Sequence, residues 1–244
     1  MTSTRLNLSG LAGLMVFCLL FPAAVQAQGF SLPRAEIQVS RDCEQCPEMV
    51  TLPSGLRMSK HHVTRAQFAA FAQETGFRRN GWGCAWNYPG AIEQADDHPA
   101  VCIAYADAIA YLEWLSARTG KTYRLPTVEE YRQAASSGAP TNYWWGEDIG
   151  ENRANCIACG SPYDGKGTSP VGSFAANPYG IADALGNAWQ WTSDCQDSGC
   201  QRHALIGGSW SSPPADLRLS KVIWNDPNVP FYTYGLRVVT ESEP

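Results

Sequence analysis

The segment RANCIACGSPYDGKG, residues 153–167, places an amide oxygen at Asn155 and a carboxylate at Asp164 in one turn-prone loop. Hard cations such as calcium collect roughly six to eight oxygens from carboxylates, amides and backbone carbonyls, so these side chains with the carbonyls of Cys156 and Lys166 could form half of such a shell. Asp164-Gly165 is also an ordinary turn signal, and the two readings stand side by side. The loop carries one of two CxxC pairs, Cys156/Cys159, the other being Cys43/Cys46. Four thiolates at that spacing suit zinc, whereas oxidation would make two local disulfides. A thioredoxin-like role needs a cysteine at a helix N-terminus, and Cys46-Pro47 leads instead towards the strand-like run Met49–Leu52. The histidines, His61, His62, His98 and His203, form no HxxxH or HExxH pair. Neighbours on one strand point to opposite faces, which separates His61 from His62 as ligands. Ser212 lies outside any GxSxG elbow, and the glycine-rich turns lack the strand-to-helix setting of a nucleotide loop.

The compartment decides between thiolates and disulfides. Arg5, the apolar run Leu11–Val25 and the small-x-small site Val25-Gln26-Ala27 predict a secretory signal peptide over residues 1–27. That run of about 15 residues falls short of the roughly 20 that span a bilayer, and no later run approaches that length. The expectation is a soluble periplasmic or secreted chain, residues 28–244, with no membrane span; an uncleaved N-terminal anchor is the alternative. Phe17 before Cys18 is too bulky for a lipoprotein processing site. Eight cysteines then remain, Cys43, Cys46, Cys84, Cys102, Cys156, Cys159, Cys195 and Cys200, and an even count in an oxidising compartment predicts disulfides. Local spacing favours Cys43 with Cys46, Cys84 with Cys102, Cys156 with Cys159, and Cys195 with Cys200. The formal net charge of −5 becomes more negative without Arg5, and the basic residues are scattered, so no nucleic-acid partner is expected.

The elements that must hold these residues are short. Glu48–Leu52 and Met58–Val63 bracket Pro53-Ser54-Gly55 as a hairpin. Thr64 with Gln67, and Thr127 with Glu130, are capping boxes; the first helix should end at Gly76 with Phe68, Phe71 and Ala72 inward, and the later one at Gly138. Between them Ala108, Tyr111, Leu112 and Leu115 give a helical stripe over Tyr105–Arg118, stopped by Gly120 and flanked by Trp114. Beyond Gly138 about a hundred residues are dense in Gly, Pro, Asn and Trp, with no repeat and no linker, so disulfides and bound ions would have to supply the order that regular structure does not.

The order of TSPVGSFAANPYGIADALGNAWQWTSDC, ALIGGSWSSPPADLRLSKVIWND and YGLRVV, together with RLPTVEEYRQAA, resembles the formylglycine-generating enzyme family, also called sulfatase-modifying-factor domains. The resemblance covers most of residues 43–239. It implies an α+β, variant C-type-lectin-like fold, loop-rich, with few short strands and about three helices, stapled by disulfides. It also places a structural calcium on Asn155, Cys156, Asp164 and Lys166, with the spacing after Asp164 one residue shorter than in the family. A second calcium would fall on Asp183, Gly186, Ala188 and Gln190, where Gln190 replaces the family's glutamate and gives up a charge and a bidentate grip. The family sets two cysteines five residues apart after its Gly-Gly-Ser-aromatic turn to bind copper(I) and activate oxygen. Here those positions are Ser212 and Leu217, which cannot serve a soft metal, so copper is not expected and conversion of a sulfatase cysteine to formylglycine is not expected either. Ser209, Ser212, Trp189 and Trp210 remain as groove candidates, with Trp224 and Asp226 nearby in sequence. Iron enzymes of the superfamily draw histidines from an extra helical domain for which this chain has no room.

Sites rather than folds determine function. The leading expectation is an oxidoreductase or accessory factor that matures an exported peptide or natural product, as in the periplasmic pyoverdine-maturation proteins, which share the CxxCPEMV opening. The contrasting expectation is a non-catalytic, calcium-ordered lectin-like module that binds a protein or glycan ligand.

Overall fold

A computed structural model describes residues 36–79, 83–90 and 92–241, and the expected signal peptide, residues 1–27, lies outside them. In chain order the elements are β1 (Val39–Arg41), β2 (Glu48–Thr51), β3 (Leu56–Ser59), α1 (Arg65–Thr75), α2 (Tyr105–Thr119), β4 (Tyr123–Arg124), α3 (Val128–Ser136), β5 (Trp189–Cys195), β6 (His203–Ile206), β7 (Val222–Asn225), β8 (Tyr234–Gly235) and β9 (Val239–Glu241). A single 3-10 turn, Pro214–Leu217, precedes β7. The α+β class follows, with regular structure almost absent between α3 and β5.

Two sheets organise these strands. One has the order β1-β2-β3-β9-β4 and the other β7-β6-β5-β8. Pairing is antiparallel except between β5 and β8. The last strand inserts between β3 and β4, pairing Met58 with Val239 and Tyr123 with Thr240, so the C-terminal segment closes the first sheet. The expected second strand Met58–Val63 is corrected to Leu56–Ser59. Its ladder stops where β9 begins, with Met58 opposite Val239, and the chain then turns so that His62 is fully buried.

Both capping boxes are present. Thr64 accepts from the Gln67 amide while Gln67 reaches back, Gly76 closes α1 in the left-handed region, and Thr127 and Glu130 do the same at the start of α3. At the end of α3, Ser137 rather than Gly138 takes the left-handed cap. α1 and α2 meet through rings: Phe68 stacks on Tyr111 at 5.6 Å, and Phe71 lies 5.7 Å from Tyr111 and 5.8 Å from Trp114. Rings of this size at these separations bury large apolar areas, so the contact substitutes for helix length.

All four expected disulfides are formed: Cys43–Cys46, Cys84–Cys102, Cys156–Cys159 and Cys195–Cys200. The two CxxC pairs belong to different core clusters, one beside α1 and α2 and one beside α3, so they do not converge on a shared zinc site. Among the described residues no helix is long and apolar enough to cross a membrane.

Candidate functional site

The loop from Asn155 to Gly167 folds back on itself. The Asp164 carboxylate accepts from the backbone amides of Ala158 at 2.7 Å and Gly160 at 3.1 Å, so it braces the Cys156–Cys159 turn. Lys166 is exposed, and its ammonium donates to the Pro162 carbonyl at 2.9 Å. Asn155 is buried, its amide nitrogen donates to the Gly167 carbonyl at 2.9 Å, and its Oδ1 is buried with no partner. The orphaned Asn155 oxygen would suit a hard cation in place of the missing donor, and the Asp164 carboxylate could join such a site through lone pairs not used by the Ala158 and Gly160 amides.

The second expected set is built differently. Arg237, between Leu236 and Val238 just before β9, is fully buried. Its Nε donates to Gln190 Oε1 at 2.8 Å, and its Nη atoms donate to the carbonyls of Ser59 at 2.5 Å and Ala182 at 2.8 Å. Gln190 Nε2 donates to Tyr131 Oη at 2.7 Å, and that hydroxyl donates to the Ala184 carbonyl. The Ala188 carbonyl lies 2.9 Å from His62 Nε2, and the Gly186 carbonyl accepts from the Ala188 amide at 2.9 Å. Asp183 keeps one carboxylate oxygen on the Gly172 amide and the other buried without a partner. In the set Asp183, Gly186, Ala188 and Gln190, the oxygens of Gly186, Ala188 and Gln190 already face protein partners, one Asp183 oxygen is left without one, and the adjacent guanidinium, which does not lose its proton in proteins, disfavours a second cation there. Burial pushes the Asp183 carboxyl up to about 6, against the Gly172 amide and Arg237, which pull it down. Burial likewise lowers the His62 ring to about 3, so it is a neutral core histidine.

Asn187 joins these loops. It is buried with φ of 66°. Its Oδ1 accepts from the Ser169 amide at 2.9 Å, its Nδ2 donates to the Ser169 carbonyl at 3.1 Å, and its backbone amide and carbonyl bond Asn155 and Trp210 at 2.9 and 3.1 Å. Beside it, a Cβ on Gly186 would lie 2.5 Å from the Asn155 carbonyl oxygen, at φ of 84°. Gly186-Asn187 reads as a plain turn signal; only the long-range contacts make it a junction.

After β6 the chain makes the Gly207-Gly208 turn. Ser209 and Ser212 are buried against each other, hydroxyl to hydroxyl at 2.9 Å, with the Ser209 amide donating to Ser212 Oγ at 3.1 Å. Leu217 is fully buried, and a Cβ on Gly208 would meet its Cδ1 at 2.6 Å, so this side chain is tightly held in the core. Trp189 is also a core residue, which corrects its expected place in a groove: 5% of it is exposed and it packs with the α1–α2 cluster. Trp224 packs on the other cluster, and the exposed Asp226 bonds Asn228. Of the groove candidates Trp210 reaches the surface. Its ring lies 5.8 Å from Tyr232, which lies 4.3 Å from Phe231, and its Nε1 is buried without a partner. Phe231 and Tyr232 are exposed, as is Ile157, whose amide donates to the Ser212 carbonyl at 3.0 Å. Ile157, Trp210, Phe231 and Tyr232 thus border the serine turn on an apolar surface.

Residues 24–242 match the sulfatase-modifying factor enzyme 1-like domain family. The chain belongs to this family. It is 30% identical over 206 residues to the formylglycine-generating enzyme of Mycobacterium tuberculosis, covering 62% of this chain and 67% of that protein. It is 36% identical over 132 residues to the inactive C-alpha-formylglycine-generating enzyme 2 of Mus musculus, covering 50% of this chain and 41% of that protein. Among solved structures it is similar to PvdO from Pseudomonas aeruginosa, with a TM-score of 0.73 at 26% identity, covering 84% of this chain and 98% of that one. As a formylglycine-generating-enzyme-like domain it keeps the Gly-Gly-Ser-Trp turn. At the two positions where the family resemblance calls for thiolates it carries a hydrogen-bonded hydroxyl and a packed leucine.

Proposed function

We propose that this domain is an accessory factor in the maturation of an exported peptide or natural product, and that it engages its ligand on the aromatic surface beside Ser209–Ser212. The observation that carries the reading is Trp210. Its half-buried ring stands beside exposed Tyr232 and Phe231, an arrangement suited to a ligand that stacks on the aromatic surface. Redox chemistry on that ligand belongs to the same reading, without a copper–thiolate centre, since Ser212 and Leu217 offer no soft ligand. Calcium, held by Asn155 and Asp164 with the carbonyls of Cys156 and Lys166, would order the loop that carries Ile157 to this surface; its contribution is charge and structure, not chemistry on the ligand.

The test compares, by mass spectrometry, the exported peptides and natural products of the host with and without this chain. An unmatured precursor should accumulate without it and disappear on complementation with the wild type, but not with Trp210→Ala. Identical profiles in both strains would overturn the proposal. A ligand bound without any change in the exported products would move the account to the lectin-like binding module.

A further inference from the structure

The β5–β6 hairpin, which leads into the Gly-Gly-Ser-Trp turn, carries a second group of reactive side chains. Cys195 ends β5 opposite His203, which begins β6, and the connecting loop returns through Cys200. Of the eight cysteines after residue 27, Cys200 is the exposed one; the others are buried or half-buried. Cys195 Sγ lies 4.0 Å from His203 Nδ1. The His203 ring is buried and stacks on Tyr105 at 3.7 Å, which fixes its plane beside the sulfur. Tyr105 and Ser193 both line a cavity of about 490 Å³ whose other walls include Ile109, Leu112, Tyr123 and Leu125. One disulfide therefore joins an exposed cysteine to a half-buried one whose sulfur faces an imidazole, and Tyr105, which stacks on that imidazole, also walls a largely apolar recess. A hairpin staple alone would need none of these.

We propose that Cys195–Cys200 is a thiol–disulfide exchange site for a cysteine-bearing peptide whose neighbouring apolar side chain seats in the Tyr105–Ser193 cavity. The incoming thiolate attacks Cys200 Sγ, the S–S bond breaks, and Cys195 departs as a thiolate that His203 receives through an N–H or a shared proton. A second peptide thiolate then attacks the mixed disulfide and frees Cys200. Two peptide thiols become one peptide disulfide with loss of two protons, and the protein disulfide takes up the two electrons as two thiols. Direction of attack follows access and leaving-group stability: the exposed cysteine is reached, and the sulfur with the hydrogen-bond donor leaves.

The experiment incubates the folded chain with the reduced tripeptide Phe-Cys-Leu or with glutathione, quenches in acid, alkylates and maps each cysteine by mass spectrometry. The expected result is thiols at Cys195 and Cys200 alone, the other three disulfides intact, and peptide trapped on Cys200. The tripeptide should react roughly tenfold faster than glutathione, and His203→Phe, which keeps a ring to stack on Tyr105, should slow the exchange about tenfold. Opening of Cys43–Cys46 at the same rate, trapping on Cys195, or a rate insensitive to His203→Phe would overturn the site. Equal rates for the two thiols would overturn the peptide assignment. The wild-type map stands even if the variant fails to fold.

Discussion

Arg237 is a buried charge held by the second expected set. Its guanidinium meets Gln190, Ser59 and Ala182 in a site with no solvent, and burial lowers it from its ordinary value without removing its charge. Removing one partner of such a network leaves the others buried and unsatisfied. Arg237→Met should destabilise the domain by roughly 3 to 5 kcal/mol, read as a denaturant midpoint shift. A loss below about 1 kcal/mol, within the range of a surface change, would mean that water reaches the site. Little of this was legible in the sequence. GLRVV reads as an apolar strand with one charge, and nothing local says that the charge points inward. The role of Asn187 as a junction was hidden for the same reason: its partners Asn155, Ser169 and Trp210 are distant in sequence.

At the scale of elements, the local signals held and the distant pairings did not announce themselves. Capping boxes at Thr64 and Thr127 concern residues three apart, so spacing marks them, and the cysteine spacings suggest the four pairs without fixing them, Cys84 and Cys102 being 18 residues apart. The end of β3 depends on β9, which returns from the far end of the chain. Asp42 is the fastener at that edge: Arg57 of β3 donates to it at 3.1 Å, Lys121 at 3.0 Å, and Tyr123 of β4 also donates to it. Burial alone would raise the Asp42 carboxyl, but hydrogen bonds from Tyr123, Arg57 and Lys121 outweigh it and hold it at about 2. A carboxyl lowered on folding contributes stability above its unfolded value, near 3.8, and loses it as pH falls towards 2. Asp42→Asn should therefore cost stability at neutral pH, with the gap to wild type closing between pH 4 and pH 2 in urea melts. A gap independent of pH would show that the side chain acts by packing rather than charge.

For the molecule as a whole, order in the stretch between α3 and β5 comes from buried amides and one disulfide, Cys156–Cys159, to which the proposed calcium would add. An ion that binds only the folded state stabilises it by RT ln(1 + [L]/Kd). Millimolar calcium should raise the melting temperature over chelator, and Asp164→Ala should abolish that shift. Gln190→Ala should lower both melts equally, because its oxygen serves Arg237 rather than a cation. An unchanged wild-type midpoint would remove calcium from the account.

The family turn is retained while the positions that need thiolates hold Ser212, bonded to Ser209, and Leu217, packed on Gly208. The direct measurement is to incubate the purified chain with a sulfatase-type CxPxR peptide, copper(I), oxygen and a thiol reductant, and to look for the aldehyde product by mass spectrometry. The account predicts unmodified peptide; aldehyde formed at a rate that scales with enzyme and falls in Ser212→Ala would contradict it.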